Sequence, residues 1–460
     1  MTDLHLLSAT EIAAGVREGR FSAEAATSAA LARIEALNPS LNCFTEVLAE
    51  RALADARSVD ARLARGEAVG PLAGVPFGVK NLYDVAGVTT RAGSRINRAN
   101  PPAAADATLV RRLKSAGAVL LGLQNMDEYA YGFLTENAHD GTTRNPHDPK
   151  RVAGGSSGGS AASVAAGMVP LSLGTDTSGS IRVPAAFCGI FGLKASYGRL
   201  SRKGVFPFVH DLDHAGPFAR SAADLARIYD VLQGPDPEDP HQAARAVEPS
   251  LPGIEGGIGG LRIGVLEGWF RDGAVPEALE GVDRVAAALG ATRCVVLPEA
   301  ALARSAAFCL TAAAGADLHW QRLKSRPADF DPATRDRLFA GALLPGSVVV
   351  QAQRFRRWFR DRALEIFAEF DILLAPTTPT PAVVIGEEMM QLGDRQVPAR
   401  VTPGIYTQPL SFIGVPVVSV PVQHPGALPL GVQIIAAPWR EATALRVARF
   451  LEAQGIVSGA

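Results

Sequence analysis

Two serine- and glycine-rich stretches carry the residues best suited to chemistry. One is Gly154-Gly155-Ser156-Ser157-Gly158-Gly159-Ser160; the other is Gly174-Thr175-Asp176-Thr177-Ser178-Gly179-Ser180-Ile181-Arg182. Glycines at this density let backbone N–H groups approach a ligand, because no Cβ stands in the way. A flexible linker has similar composition, but both stretches adjoin apolar, periodic segments, and linkers do not alternate with core. A phosphate loop is disfavoured, since no Gly-Lys-Ser/Thr ending follows and no G-x-G-x-x-G opens a helix after a strand. A nucleophilic serine is the remaining reading, and it needs a base. The eight histidines, at 5, 139, 147, 210, 214, 241, 319 and 424, fall outside both stretches. A Ser-His-Asp triad gathered from distant positions stays open, because triads are defined in space. The other route is a neutral lysine. Lys80 ends the apolar run Gly74-Val75-Pro76-Phe77-Gly78-Val79. Desolvation there would draw its pKa from ~10.4 towards ~7–8, the range of a general base. A single lysine at such a place more often snorkels at the surface.

These groups need a scaffold. Residues 1–70 read as helices: Ser8-Ala9-Thr10-Glu11 is a capping box, Ser22 opens an alanine-rich run that stops at Asn38-Pro39, and a third helix spans 45–65. Strand-length apolar runs follow at 74–79, 118–123, 169–173, 262–266, 294–297, 372–375, 417–420 and 432–436, with helical patterns such as 106–116 and 441–454 between them. The alternation predicts an α/β fold: a large mixed, mainly parallel β-sheet covered on both faces by α-helices. Residues 233–260, rich in Pro, Gly and acids, form an internal loop or break, and 379–403 a long polar loop near the site; the chain is expected to be one domain, 1–460.

Composition narrows the function classes. The 460 residues are 47% hydrophobic with a formal net charge of −1, which leaves no electrostatic footprint for nucleic acid or an anionic membrane. Cys43, Cys188, Cys294 and Cys309 are widely spaced, without a C-x-x-C pair, and read as reduced thiols of a cytoplasmic protein. Met1–Thr10 lacks the basic start of a signal peptide, and no run approaches the ~18 apolar residues of a membrane span. No metal and no cofactor is expected.

The stretch from Gly154 to Arg182, continuing through Pro184, Phe187-Cys188-Gly189 and Gly192-Leu193-Lys194, resembles the signature of the amidase signature family, and Gly74–Lys80 resembles that family's lysine motif. The resemblance runs from Asn38-Pro39 to Ala437-Pro438. It implies Ser180 as nucleophile, Ser156 as relay with the Gly155–Ser156 peptide cis, and Lys80 as base. It also implies an oxyanion hole of backbone N–H groups from Thr177, Ser178, Gly179 and Ser180. Asp176 and Arg182 are expected to hold the loop rather than touch substrate. Ser178 stands where many relatives have Gly, and Ala195-Ser196 where Pro-Thr is common.

Within the family, Asn125-Met126-Asp127-Glu128, Thr135-Glu136-Asn137 and Arg144-Asn145-Pro146 are similar to two groups, the amidase-type chains of glutamyl-tRNA(Gln) amidotransferase and the 1-carboxybiuret hydrolases. In the former, an Asp binds the amino group of glutamine; here that position is Gly404. An arginine that grips the glutamine carboxylate matches Arg337, which is either a substrate clamp or half of a surface ion pair. Segments 203–214, 268–272 and 352–357 look like the carboxybiuret group, and most of their residues are expected to serve packing. The candidate substrate contacts are Arg337, Ser178, Tyr131 and Gln408. The reading is an amidohydrolase of a small ureido compound, with a homodimeric core and a small helical accessory subunit. The alternatives are a catalytically silent scaffold, disfavoured by intact Lys80, Ser156 and Ser180, the ammonia-supplying chain of an amidotransferase, and an amidase of another small amide.

Overall fold

The computed structural model describes residues 3–423 and 426–460, so Met1, Thr2, His424 and Pro425 lie outside the described residues. Ser8 caps the helix Ala9–Arg17: its Oγ accepts from Glu11 N at 3.1 Å while the Glu11 carboxylate accepts from Ser8 N at 2.8 Å. Ser22 caps Ala23–Leu41. This helix passes through Pro39 instead of stopping there; a proline so near the end forfeits one N–H bond, and the turn completes before Asn42 takes a left-handed φ of 54°. The third helix starts later than the sequence suggests, at Ala49, because Phe44–Val47 pairs as an edge strand with Val119–Gln124.

All eight apolar runs enter one eleven-stranded sheet. Across it the order is Phe44–Val47, Val119–Gln124, Pro76–Lys80, Leu171–Asp176, His214–Ala219, Phe191–Lys194, Val417–Val422, Leu430–Ala436, Ile372–Pro376, Ile263–Leu266 and Arg293–Val295. The sheet is mixed, but the expectation that it is mainly parallel is corrected. Parallel pairing is confined to Val119–Gln124, Pro76–Lys80 and Leu171–Asp176 on one side and to Ile372–Pro376, Ile263–Leu266 and Arg293–Val295 on the other. The centre is antiparallel. Two strands that the sequence pattern does not reveal, Phe191–Lys194 and His214–Ala219, create that centre. Every residue of Leu171–Asp176, Val417–Val422 and Leu430–Ala436 is buried, so helices cover both faces. Under that cover antiparallel strands lose their polar face and look as apolar as parallel ones.

The 379–403 stretch is not wholly loop, since Met389–Leu392 and Arg395–Pro398 form a hairpin. Residues 233–260 are irregular apart from a turn at Leu251–Gly253, and they are tied to the body: the Asp236 carboxylate accepts from Thr108 and Ser201 hydroxyls at 2.5 and 2.6 Å. No helix among the described residues is long and apolar enough to cross a membrane.

Candidate active site

Lys80 closes its strand inside the molecule and is fully buried, not snorkelling. Its Nζ donates to Ser156 Oγ at 2.7 Å and to Thr175 Oγ1 at 2.8 Å. Burial brings its pKa down to about 7, against the opposing pull of the Asp127, Asp176 and Asp213 charges. The ammonium and the neutral amine are therefore both accessible near neutrality, as a general base requires.

Ser156 follows a cis peptide from Gly155. Gly155 is a glycine of close approach: a Cβ there would stand 2.2 Å from Asp127 Oδ2. Thr135 ties the loop on both sides, its Oγ1 donating to Gly154 O at 2.8 Å and accepting from Gly158 N at 3.1 Å.

Ser180 sits on the turn between the strand Leu171–Asp176 and the helix Arg182–Cys188. Asp176 and Arg182, both without solvent exposure, clamp that turn. Arg182 Nε and Nη2 donate to the two Asp176 carboxylate oxygens at 2.9 Å each, and its Nη1 and Nη2 reach Thr407 O, Gln433 Oε1 and Ser411 Oγ. Burial alone would raise the Asp176 pKa; the guanidinium overrides it and holds the carboxyl well below its usual range. Gly179 has a φ of +144°, and a Cβ there would meet Thr407 Oγ1 at 2.1 Å. That hydroxyl donates to Ser178 O at 2.6 Å. The N–H groups of Ser178, Gly179 and Ser180 meet no protein acceptor among the described residues. Thr177 Oγ1 donates to Asp213 Oδ1 at 2.6 Å.

Ser180, Thr177, Ser178, Tyr131, Arg337 and Gln408 line one small cavity. The Arg337 guanidinium lies over the Tyr131 ring, its Cζ 3.5 Å from the centroid, and Nη1 donates to Tyr131 O at 2.8 Å. It is no surface ion pair, having no carboxylate within ion-pair distance among the described residues. Tyr131 Oη, Arg337 Nε, Gln408 Oε1 and Thr311 Oγ1 are buried without a hydrogen-bond partner, and all four residues line this cavity. Unpaired buried polar atoms are costly, and four residues carrying them around one cavity make it the candidate binding site for a polar molecule.

Several residues at the site carry no signal in the sequence. Thr175 is the second acceptor for Lys80, and Asp213 anchors the Thr177 hydroxyl from inside segment 203–214, most of which is expected to serve packing. Trp269 and Asp272 brace the segment beneath the cavity, Trp269 Nε1 donating to Ile405 O at 3.2 Å and Tyr406 Oη to Asp272 O at 2.7 Å. Arg356 donates to Phe412 O on the same segment. Only contacts between distant segments reveal these roles.

A family model described as Amidase matches residues 25–445. The chain belongs to the amidase signature family. This amidase is 54% identical over 453 residues to AtzE, a 1-carboxybiuret hydrolase subunit from a Pseudomonas species, covering 98% of this chain and 99% of the relative. It is 39% identical to the glutamyl-tRNA(Gln) amidotransferase chain of Chromohalobacter salexigens that bears the letter A, covering 97% and 96% of the two chains. A solved s-triazine catabolic enzyme, described with an unexpected vestigial protein complex, superposes with a TM-score of 0.97 at 53% identity, over 99% of this chain and all of that one. The protein is thus a hydrolase of C–N amide bonds with the amidase signature fold.

Proposed function

We propose that this amidase hydrolyses a small, carboxylated ureido compound such as 1-carboxybiuret, releasing ammonia through Ser180, Ser156 and Lys80. One observation carries the reading: Arg337, without a carboxylate partner, shares the Ser180 cavity with three other unpaired polar groups. A guanidinium held over an aromatic ring suits a planar carboxylate, and the unpaired Tyr131, Gln408 and Thr311 atoms suit a body rich in C=O and N–H. The 54% identity to a 1-carboxybiuret hydrolase subunit supports the same substrate class.

In the proposed reaction, Ser180 Oγ attacks the terminal carbonyl carbon as its proton passes to Ser156 and the Ser156 proton to neutral Lys80. The oxyanion is received by the N–H groups of the 177–180 turn, each worth roughly 3–4 kcal/mol in the transition state. Collapse breaks the C–N bond, and the proton returns through Ser156 to the departing nitrogen, which leaves as ammonia. The covalent intermediate is an ester at Ser180. Water, deprotonated by the same relay, hydrolyses it and restores the serine. Asp176, Arg182 and Asp213 position the turn without meeting substrate.

Four unpaired cysteines agree with a cytoplasmic setting. The solved relative, described with a protein complex, supports assembly with another chain; the single-domain chain, its homodimeric core and a small helical accessory subunit remain part of the proposal. The test is ammonia release from 1-carboxybiuret, biuret and glutamine by the purified chain, with Ser180→Ala as control. Release from the ureido compounds but not glutamine is expected. Preferential release from glutamine would replace this reading by the amidotransferase one, against which stands the absence of any carboxylate lining the cavity among the described residues.

A further inference from the structure

The Ser180 cavity has one cation, Arg337, and a wall built from a ring set against two glycines. Phe133 lines the cavity, and a Cβ on Gly404 would stand 2.2 Å from its Cζ and 2.6 Å from its Cε2. A Cβ on Gly179, in the nucleophile turn, would lie 3.2 Å from Phe133 Cε1. The backbone at 404 does not itself demand glycine, for it is absent from the residues with left-handed φ. The Phe133 ring is what a side chain there would meet first. Phe133 is 6% exposed and packs in an apolar cluster with Leu134, Val152, Val183 and Phe187, so it does not swing aside cheaply. Position 404 also sits one turn before Gln408, whose N–H donates to Gly404 O at 3.0 Å, so a side chain at 404 would stand beside the cavity.

We infer that Phe133 is a specificity-determining residue: its ring takes the space a carboxylate at position 404 would use to receive an ammonium group. The site is thereby restricted to amides with an anionic end and no amino cation. The inference rests on the proposed role of Ser180 and its cavity, and it deepens that reading. An ammonium brought into this space would lose its hydration without gaining a carboxylate. It would also share the cavity with the Arg337 guanidinium, which lies over the Tyr131 and Phe308 rings, 3.5 and 5.6 Å from their centroids. Like charges sharing one small cavity repel.

The test uses the full chain as wild type, Phe133→Leu, Phe133→Ala, Gly404→Asp and the double variant Phe133→Ala/Gly404→Asp. Two probe substrates differ in one group: glutamine, and glutaramate, which lacks the α-amino group. 1-Carboxybiuret is assayed in parallel. Gly404→Asp alone is expected to lower the thermal midpoint, and adding Phe133→Ala to recover part of the loss. In the folded double variant the kcat/KM ratio of glutamine to glutaramate should rise about tenfold or more over wild type. Phe133→Ala alone should raise the KM of the preferred substrate more than it lowers kcat, and Phe133→Leu should largely restore it. A ring that merely supported the Gly179 turn would lower kcat instead, and that result overturns the inference. An unmoved ratio in a folded double variant overturns it as well. The two readings fail separately. Turnover of 1-carboxybiuret with an unmoved ratio removes the Phe133 assignment and keeps the ureido substrate, whereas a moved ratio without turnover of any ureido compound does the reverse.

Discussion

Replacing Lys80 by methionine separates what the buried lysine does for the reaction from what it costs the fold. Its pKa in the folded chain is about 7, against ~10.4 in an unfolded one. Between those values the unfolded chain binds the extra proton, so the lysine's penalty is complete below pH 7, shrinks as pH rises, and vanishes above the unfolded value. At pH 7 the penalty amounts to roughly 4 kcal/mol. The substitution removes it, but leaves Ser156 Oγ and Thr175 Oγ1 without their donor, at about 1 kcal/mol each. Lys80→Met should therefore be more stable than wild type by about 2 kcal/mol at pH 7 and about equal near pH 9. Its activity should be lost at every pH. In the wild type, kcat/KM should rise about tenfold between pH 6 and pH 8 and then level off, following the neutral amine. Urea unfolding midpoints at pH 7 and pH 9, with the pH–rate profile of ammonia release, measure all three. A Lys80→Met chain less stable than wild type at pH 7, or a rate flat from pH 6 to 8, would refute the argument that burial prepares this lysine as a base.

Ser180→Ala should reduce turnover on the order of 10⁴-fold or more while leaving the urea midpoint unchanged, since the side chain is small and its loop is held by other groups. Arg337→Ala should raise KM for an anionic amide about tenfold or more and leave a neutral amide nearly unaffected; Arg337→Lys should not restore binding, because an ammonium lacks the flat face that rests on Tyr131. Arg182→Ala strands the fully buried Asp176 carboxylate and should destabilise the chain by roughly 3–5 kcal/mol, read as a lower unfolding midpoint.

Much of this site is written locally. Ser156, Ser180 and the Asp176/Arg182 clamp all lie between positions 156 and 182, and the glycines around them announce tight backbone approach without any knowledge of the fold. Apolar runs with turn residues at their ends likewise place eight strands, because burial on both faces demands continuous hydrophobicity. Phe191–Lys194 and His214–Ala219 are not legible in this way. Gly192, Lys194, His214 and Gly216 interrupt their apolar pattern, and the two charged or titratable ones are accommodated by tertiary contacts: Lys194 Nζ donates to Val415 O and lies 3.3 Å from His214 Nε2. The direction of pairing is equally hidden, since hydrophobicity records burial and not strand polarity.

What the sequence by itself determined is the set of candidate groups: serines in two glycine-rich turns and an amine at the end of an apolar strand. Only the tertiary structure decided that the amine is buried, that Arg337 lines the Ser180 cavity with no carboxylate in ion-pair distance among the described residues, and that Phe133 fills the place a side chain at 404 would need. The physical reason is range. Backbone conformation and amphipathic pattern are set by residues a few positions apart, whereas desolvation, charge pairing and excluded volume depend on groups brought together from segments up to hundreds of residues apart.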